Sequence, residues 1–331
     1  MQVKDLIKCS PDKEILGEFL VNDLVIKPFN NREGNYASLS LQDQTGKIQA
    51  KIWDSVDKIK DSLKNGDIIE IQGKTNQYQG KIQIIIENLR LSEQQDTKKF
   101  IPSSNKNVDI LIQELFSIMD KIEDVDLKKL WDSFKADKEL IKMFSECPGG
   151  KGAVHHTRLN GLLEHVLSIL KIVEFLGIHY KLNNDVLRLG AFLHDIGKMN
   201  CYEYEFTIEM TDIGRLHGHS VPSYLMFIEK LRTLEIEEEK KKRIQETIGH
   251  LILSHHEKFE YQSPVIPMTK EAIILAKADA IDSWIDHVDD LLKIKPTNLK
   301  WTNFDDLTKQ FYFETQLNQK ITTRRKKIKG D

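Results

Sequence analysis

The chain has 331 residues, of which 40% are hydrophobic and 30% are charged, so it is long enough for two globular domains. Its 48 Lys and Arg residues nearly balance its 51 Asp and Glu residues, and the formal net charge of -3 excludes a globally basic protein. Three separated cysteines argue against a disulfide framework, and no segment has the length of a secretory leader core or a membrane span. The sequence therefore predicts a protein of the reducing cytoplasm without membrane contact.

Residues 1–91 have the pattern of a small β domain. Apolar and polar residues alternate in YASLSLQD and in KIQIIIENL, which is typical of half-buried strands. Polar residues followed by glycine at 43–46 and at 76–80 predict two hairpin turns. About five strands result, which favours an all-β OB-type five-stranded barrel that holds a single strand of nucleic acid. Another small barrel or a sandwich is also compatible with this pattern.

The second half has a different period. The polar residues 92–107 include Pro102 and predict a linker. From 108 to 315 the apolar residues recur about every 3.6 positions, which predicts an all-α domain with one short hairpin within 202–218. The remaining residues, 316–331, contain the basic run TTRRKKIK. This tail is interpreted either as a nonspecific grip on RNA or as a solvated chain end.

Several histidines and two aspartates lie on the inward side of the predicted helices. The buried run AFLHDIGK places His194 and Asp195 side by side, and Asp279 follows Leu275 by one helical turn. Because a buried charge without compensation costs several kcal/mol, this set indicates a metal centre. The inward-directed residues are His165, His194, Asp195, His255, His256 and Asp279.

The ligand types indicate which metals to expect. Imidazole and carboxylate groups without thiolates suit Mn²⁺, Fe²⁺, Zn²⁺ or Co²⁺, and Mg²⁺ less readily. The set is too large for one tetrahedral ion, so we predict two divalent ions per chain. The adjacent residues His194 and Asp195 suit such a pair if the carboxylate bridges both ions and the imidazole binds one.

The motifs LLEH, LHDIGK, GH, SHHE and KAD occur in this order between about residues 108 and 290. They resemble the motifs of the HD superfamily of metal-dependent phosphohydrolases. With the barrel in front and HHTRLNGLLEH opening the site, the whole chain is similar to the YhaM family of 3′-to-5′ exoribonucleases. For the GH motif, His217 remains an alternative to His219. The metal ligands that the resemblance implies are His165, His194, Asp195, His219, His255, His256 and Asp279.

The resemblance implies a hydrolase that releases nucleoside 5′-monophosphates from the 3′ end of single-stranded RNA, with single-stranded DNA as a second substrate. Mn²⁺ is the metal that we expect first. Asp195 and Lys198 are the expected catalytic residues, with Lys198 neutralising a phosphate oxygen; its alternative is a surface lysine at a helix end. His155, His156 and Arg158 are expected to bind the scissile phosphate or the terminal sugar, and their alternative is a solvent-facing loop.

Four aromatic residues of the β domain lie near predicted loops and are interleaved with basic residues: Phe29, Tyr36, Trp53 and Tyr78. This combination predicts base stacking with phosphate attraction, although aromatics of small barrels also form cores. Other functions remain open, namely a phosphodiesterase acting on a small nucleotide, a mononuclear nucleotidase, or an inactive domain that only ligates metal. The sequence also leaves a homo-oligomer open.

Overall fold

The computed structural model describes residues 1–54, 56, 60, 62–94, 96–151, 155–295 and 299–315. Its N-terminal part is a closed five-stranded barrel in the order β1-β2-β3-β5-β4, closed by parallel pairing of β3 with β5, which confirms the predicted OB-type fold. A short helix, α1 (Val3–Leu6), packs two side chains into the barrel core. The strands are β1 (Glu14–Pro28), β2 (Asn35–Asp43), β3 (Gly46–Ile52), β4 (Ile68–Tyr78) and β5 (Lys81–Leu91).

The alternation of apolar and polar residues explains which side chains fill the barrel core, and the turn residues explain its hairpins. Leu39 and Leu41 of β2 are fully buried, and Ile84 of β5 lies with them in the barrel core, as the alternation predicts. Both predicted hairpins form, with residue 43 paired to residue 46 and residue 78 paired to residue 81. Gln79 and Gly80 have φ angles of 49° and 78°, the left-handed values that a two-residue hairpin requires.

The C-terminal part is helical, as predicted, and it includes the short hairpin β6 (Tyr202–Glu203) and β7 (Glu209–Met210). The described helices do not include one that is both long and apolar enough to cross a membrane. They are α2 (Val108–Met119), α3 (Val125–Ala136), α4 (Lys138–Glu146), α5 (Gly161–Tyr180), α6 (Asn184–Leu193), α7 (Lys198–Cys201), α8 (Asp212–His217), α9 (Ser220–Thr233), α10 (Glu238–Ser254) and α11 (Lys270–Ile294).

The barrel and the helical part meet in a packed junction. Gln42 at the end of β2 is buried, and its Nε2 donates hydrogen bonds to the carbonyl oxygens of Phe100 (3.0 Å) and Phe206 (3.2 Å). Leu20 and Ile68 of the barrel pack against the same two phenylalanines. The segment 92–107 therefore contributes apolar contacts that its polar composition did not indicate. Its assignment as a linker, like the other domain boundaries, stays a prediction, and the tail 316–331 lies outside the described residues.

Aromatic packing fixes the end of α6. The Phe192 ring lies 5.2 Å from the Trp131 ring, 5.7 Å from the Phe134 ring and 5.3 Å from the Phe144 ring, measured between centroids. All four side chains are fully buried. Because His194 follows Phe192 by two residues, this cluster sets where the helix ends and where the following polar side chains point.

We expect Phe192→Ala to reduce the free energy of unfolding of the helical part by about 3–5 kcal/mol, because it leaves a cavity between three aromatic rings. Urea denaturation followed by circular dichroism at 222 nm measures this loss. Phe175→Ala is the matched control, since Phe175 is 71% exposed on α5. Equal unfolding midpoints for the two variants would contradict the packing role.

Candidate metal centre

Seven side chains that the sequence predicted as ligands converge in the helical part. The helices that carry them pack their apolar faces into one hydrophobic core. The seven polar side chains lie on or next to these buried faces. The contributions are His165 from α5, His194 and Asp195 after α6, His219 before α9, His255 and His256 after α10, and Asp279 from α11.

One group of ligand atoms surrounds the Nε2 atom of His165. That atom lies 3.4 Å from Nε2 of His194, 3.2 Å from Oδ1 of Asp279 and 3.3 Å from Oδ2 of Asp195. The His194 Nε2 atom is also 3.3 Å from Asp195 Oδ2. The ligand atoms of His165, His194 and Asp279 all lie within 4.8 Å of one another, and Asp195 Oδ2 lies beside both histidines, so this group could hold a cation.

A second group surrounds His219. Its Nε2 atom lies 3.3 Å from Nε2 of His255, 2.8 Å from Nε2 of His256 and 3.0 Å from Oδ1 of Asp195. Asp195 thus directs Oδ2 to the first group and Oδ1 to the second. Its buried Oδ1 has no hydrogen-bond partner among the described residues. His217 is exposed on α8, so His219 and not His217 is the histidine of this segment in the centre.

The outer ring nitrogens of three histidines are held by acceptors. His194 Nδ1 lies 2.9 Å from the carbonyl oxygen of Ala191, and His255 Nδ1 lies 2.6 Å from that of Ile252. His165 Nδ1 lies 2.7 Å from Oδ2 of Asp282. When Nδ1 donates a proton outward, the Nε2 lone pair faces the centre, which is how metal-bound imidazoles are commonly oriented. The residues present therefore fit divalent cations.

The charges of the centre suit cation binding. Burial alone would raise the pKa of Asp195, but Lys198 and the surrounding histidines lower it well below its usual range. Burial lowers the pKa of His255 well below its usual value, and burial with the neighbouring His219 lowers the pKa of His256 to about 4. Anionic carboxylates and neutral imidazoles are the forms that ligate metals.

His165 is the exception. Burial would lower its pKa, but hydrogen bonds to Asp195, Asp279 and Asp282 raise it well above its usual value. These three carboxylates favour the positively charged imidazole, and a divalent cation in the first group would compete with that proton. Lys198 is buried, with Nζ 2.6 Å from Asp195 Oδ2, so it is not the surface lysine that the sequence left open.

The three candidate substrate-binding residues of the loop before α5 lie in two different environments. His156 Nε2 lies 2.8 Å from Asp282 Oδ2, and the Arg158 guanidinium lies 2.9 Å from Asp286 and 2.6 Å from Glu164. His155 lies with its ring centroid 4.6 Å from that of His165, and its buried Nδ1 has no hydrogen-bond partner among the described residues. His156 and Arg158 therefore belong to a carboxylate network behind the centre.

Sequence reasoning missed the three carboxylates of this network, Glu164, Asp282 and Asp286. A signal was present for two of them. Asp282 and Asp286 follow Asp279 by three and seven positions, which places all three on one face of α11. Glu164 precedes His165 directly, and nothing in its local pattern distinguishes it from a surface glutamate.

On the barrel, three of the four candidate aromatics form one cluster. The ring centroids of Phe29, Tyr36 and Trp53 lie 5.1 to 6.0 Å apart, and the Arg32 guanidinium lies 3.8 Å above the Phe29 ring. Tyr78 is exposed at the separate β4–β5 turn. The cluster presents π surface with an adjacent cation, which is the chemistry of a base-stacking site.

Comparison with known proteins assigns both halves. Residues 162–284 match the family model of the HD domain, and residues 25–92 match that of an OB-fold nucleic acid binding domain. The HD domain implies dependence on divalent metal. Two solved structures are similar, the second OB-fold domain of replication protein A from Methanococcus maripaludis (22% identity, TM-score 0.24, 28% of this chain and 95% of that chain) and a mitochondrial single-stranded DNA binding protein of S. cerevisiae (9%, 0.22, 24% and 93%).

Similar full-length proteins share one name, 3′-5′ exoribonuclease YhaM. The protein from Bacillus licheniformis is 31% identical over 273 residues, covering 79% of this chain and 82% of that protein. The protein from Oceanobacillus iheyensis is 30% identical over 254 residues, covering 75% and 77%. The protein from Bacillus subtilis is 29% identical over 289 residues, covering 85% and 88%.

We expect Asp282→Asn to weaken Mn²⁺ binding about 10- to 100-fold, because Asp282 holds the Nδ1 side of His165 and so orients its Nε2. Calorimetric titration of metal-free protein with Mn²⁺ measures this effect. Asp289→Asn is the matched control, since Asp289 is exposed on the same helix. If both variants bound Mn²⁺ like the unaltered protein, Asp282 would not orient His165.

Proposed function

The chain belongs to the YhaM family of 3′-5′ exoribonucleases, and from that membership we propose that it degrades single-stranded RNA from the 3′ end and releases nucleoside 5′-monophosphates. We also propose that single-stranded DNA is a second substrate and that the enzyme acts in the cytoplasm. The relatives and the HD domain make the chain a hydrolase with nuclease function.

One observation carries the proposed mechanism. Asp195 stands between two groups of ligand atoms and directs one carboxylate oxygen to each, so two ions per chain are expected. Mn²⁺ is the proposed metal, since nitrogen and oxygen ligands without thiolates suit it. When bound, such a pair supplies Lewis acidity for activating water and for an in-line displacement at phosphorus.

The chain's own side chains perform the remaining tasks. Lys198 keeps Asp195 anionic and fixes its orientation by the bond from Nζ to Oδ2. Because an ammonium has several N–H donors, we propose that Lys198 also donates to a non-bridging phosphate oxygen. His155 has an unused Nδ1 beside His165, and we propose that it contacts the scissile phosphate or the terminal sugar.

The outer face of β3 is the proposed path of the RNA. Lys47, Gln49 and Lys51 alternate with core residues along β3, and Trp53 follows the strand directly, so this face runs from the domain junction to the aromatic cluster about 20 Å away. At the junction a cavity of about 300 Å³ is lined by residues of both parts, among them Lys47, Lys151 and Thr157. Thr157 lies between His156 and Arg158 in the chain, so this path ends beside the loop that precedes α5.

We expect Asp195→Asn to lower the metal content below two ions per chain and to slow hydrolysis about 1,000-fold or more. The reason is that a neutral amide replaces the carboxylate that faces both groups of ligands. RNA affinity should persist, since the proposed RNA path lies on the barrel. Elemental analysis, turnover of end-labelled RNA and gel shift measure the three properties on one preparation. Near-normal Mn²⁺-dependent turnover would contradict the central role of Asp195, and one ion in the unaltered protein would contradict the two-metal mechanism.

We expect Trp53→Ala to weaken binding of a long single-stranded RNA about 5- to 150-fold, the loss of about 1–3 kcal/mol from one stacking site. Turnover of a dinucleotide that cannot reach the barrel should not change. Tyr180→Ala serves as control, because Tyr180 is an exposed aromatic at the end of α5. If Trp53→Ala bound long RNA with wild-type affinity, the aromatic cluster would not be the platform for the strand.

A further inference from the structure

The residues after α11 form a small module with an unusual orientation of its side chains. Residues 299–315 fold back on themselves through antiparallel bridges, Trp301 with Phe313 and Asp305 with Gln310. The face towards α11 is polar. Asp305 Oδ2 lies 3.0 Å from His287 Nε2, both side chains being buried, and the Trp284 indole of α11 donates to the Tyr312 hydroxyl at 2.7 Å.

The opposite face of this module is aromatic and exposed. Trp301 and Phe313 pack with ring centroids 5.0 Å apart, and Phe304 and Phe311 with centroids 5.2 Å apart. All four side chains are between 43% and 55% exposed. A module that turns polar groups inward and aromatic rings outward reverses the ordinary burial of side chains, so these rings are expected to be covered by a partner.

Exposed apolar side chains also lie on α11, which borders the module through the contact of Trp284 with Tyr312. Ile281, Trp284 and Ile285 are exposed, and their spacing of three and four positions places them on one stripe. The stripe lies on the side of the helix opposite Asp279 and Asp282, which face the metal centre. The five exposed aromatics alone present about 500 Å², since each aromatic side chain has about 200 Å² and is about half exposed. We call this set, with Ile281 and Ile285, the α11 apolar surface.

We propose that the α11 apolar surface is the contact between two copies of this chain. Its area matches what one partner contributes to a stable interface, about 800 Å², once the aliphatic residues are added. In a twofold contact the same surface of both copies meets, so unpaired like charges there would repel each other. Charged side chains beside the α11 apolar surface form ion pairs within the chain, which avoids this repulsion. Lys309 lies 3.5 Å from Asp306, and Lys295 lies 2.8 Å from Glu314.

The charge of the module favours a protein over RNA as the occupant. Within 299–315 there are three acidic residues, Asp305, Asp306 and Glu314, and two lysines, Lys300 and Lys309. RNA binding depends on an excess of cations that neutralise phosphates, and this described part of the chain does not have one.

A second copy bound to this surface would also pack against the outer side of α11. The helix that carries Asp279 would then be held between the metal centre and the partner.

Sedimentation velocity of the full chain tests this contact. Protein concentrations from about 0.5 to about 50 µM cover the range in which an interface of micromolar affinity dissociates. At the upper end of this range we expect a mass of at least twice 38.4 kDa. The double variant Phe304→Ser, Phe311→Ser should sediment as one chain of 38.4 kDa. Trp301→Lys, which places like charges opposite each other in a twofold contact, should do the same. The control Phe175→Ser, Ile178→Ser changes exposed residues of α5 and should keep the larger mass.

Circular dichroism and bound-metal content of each variant establish that the chain is folded, so a smaller mass reports the interface. A wild-type mass of 38.4 kDa across the whole range would overturn the proposal. So would a variant that is folded and keeps the larger mass. If instead the variants lost affinity for RNA while all proteins sedimented alike, the surface would bind RNA and the proposed contact would be wrong. None of these outcomes depends on the nuclease activity, so they are independent of the proposed function.

Discussion

The candidate metal centre depends on one buried carboxylate, that of Asp195, which lies between two groups of ligand atoms. Asp195 is almost fully buried, and its two oxygens face two groups of imidazoles. A carboxylate in such a place is stable only where positive charge surrounds it, because burial alone strongly favours the neutral acid. Lys198 supplies part of that charge from within the chain. Divalent cations, on which the HD domain implies dependence, would supply the rest, and the histidines that converge on the same centre would be their ligands.

Holding these groups in place takes more than the ligands. The aromatic packing around Phe192 sets the end of α6, and the acceptors behind His165, His194 and His255 set the direction of each ring. Asp282 has two tasks in this arrangement, since it accepts from His156 as well as His165. The loop before α5 and the helix α11 are thereby joined behind the centre, and a displacement of either one changes the geometry of the ligands.

The barrel packs against the rest of the chain, and residues of both parts line one cavity at the junction. Gln42 donates to the carbonyl oxygens of Phe100 in the segment 92–107 and of Phe206 in the helical part, and four apolar side chains pack around this junction. A strand of RNA held on the outer face of β3 would therefore arrive at a fixed position relative to the metal centre. This coupling suits an enzyme that removes residues from a chain end, since the end must reach the centre while the rest of the strand stays bound.

The sequence alone was sufficient for the barrel, the helical part and six of the seven converging residues, because alternation and the 3.6 period report locally which side of each element is apolar. The seventh, His219, came from the family resemblance, which left His217 as its alternative. Residue spacing also placed Asp195 beside His194. Only the tertiary structure decided that the two oxygens of Asp195 face different groups, that His219 and not His217 lies in the centre, that Arg158 is paired with Glu164 and Asp286, and that Phe29, Tyr36 and Trp53 meet while Tyr78 stands apart. These features join residues from separate elements, and the distances between such residues depend on how the elements pack, which local patterns do not record.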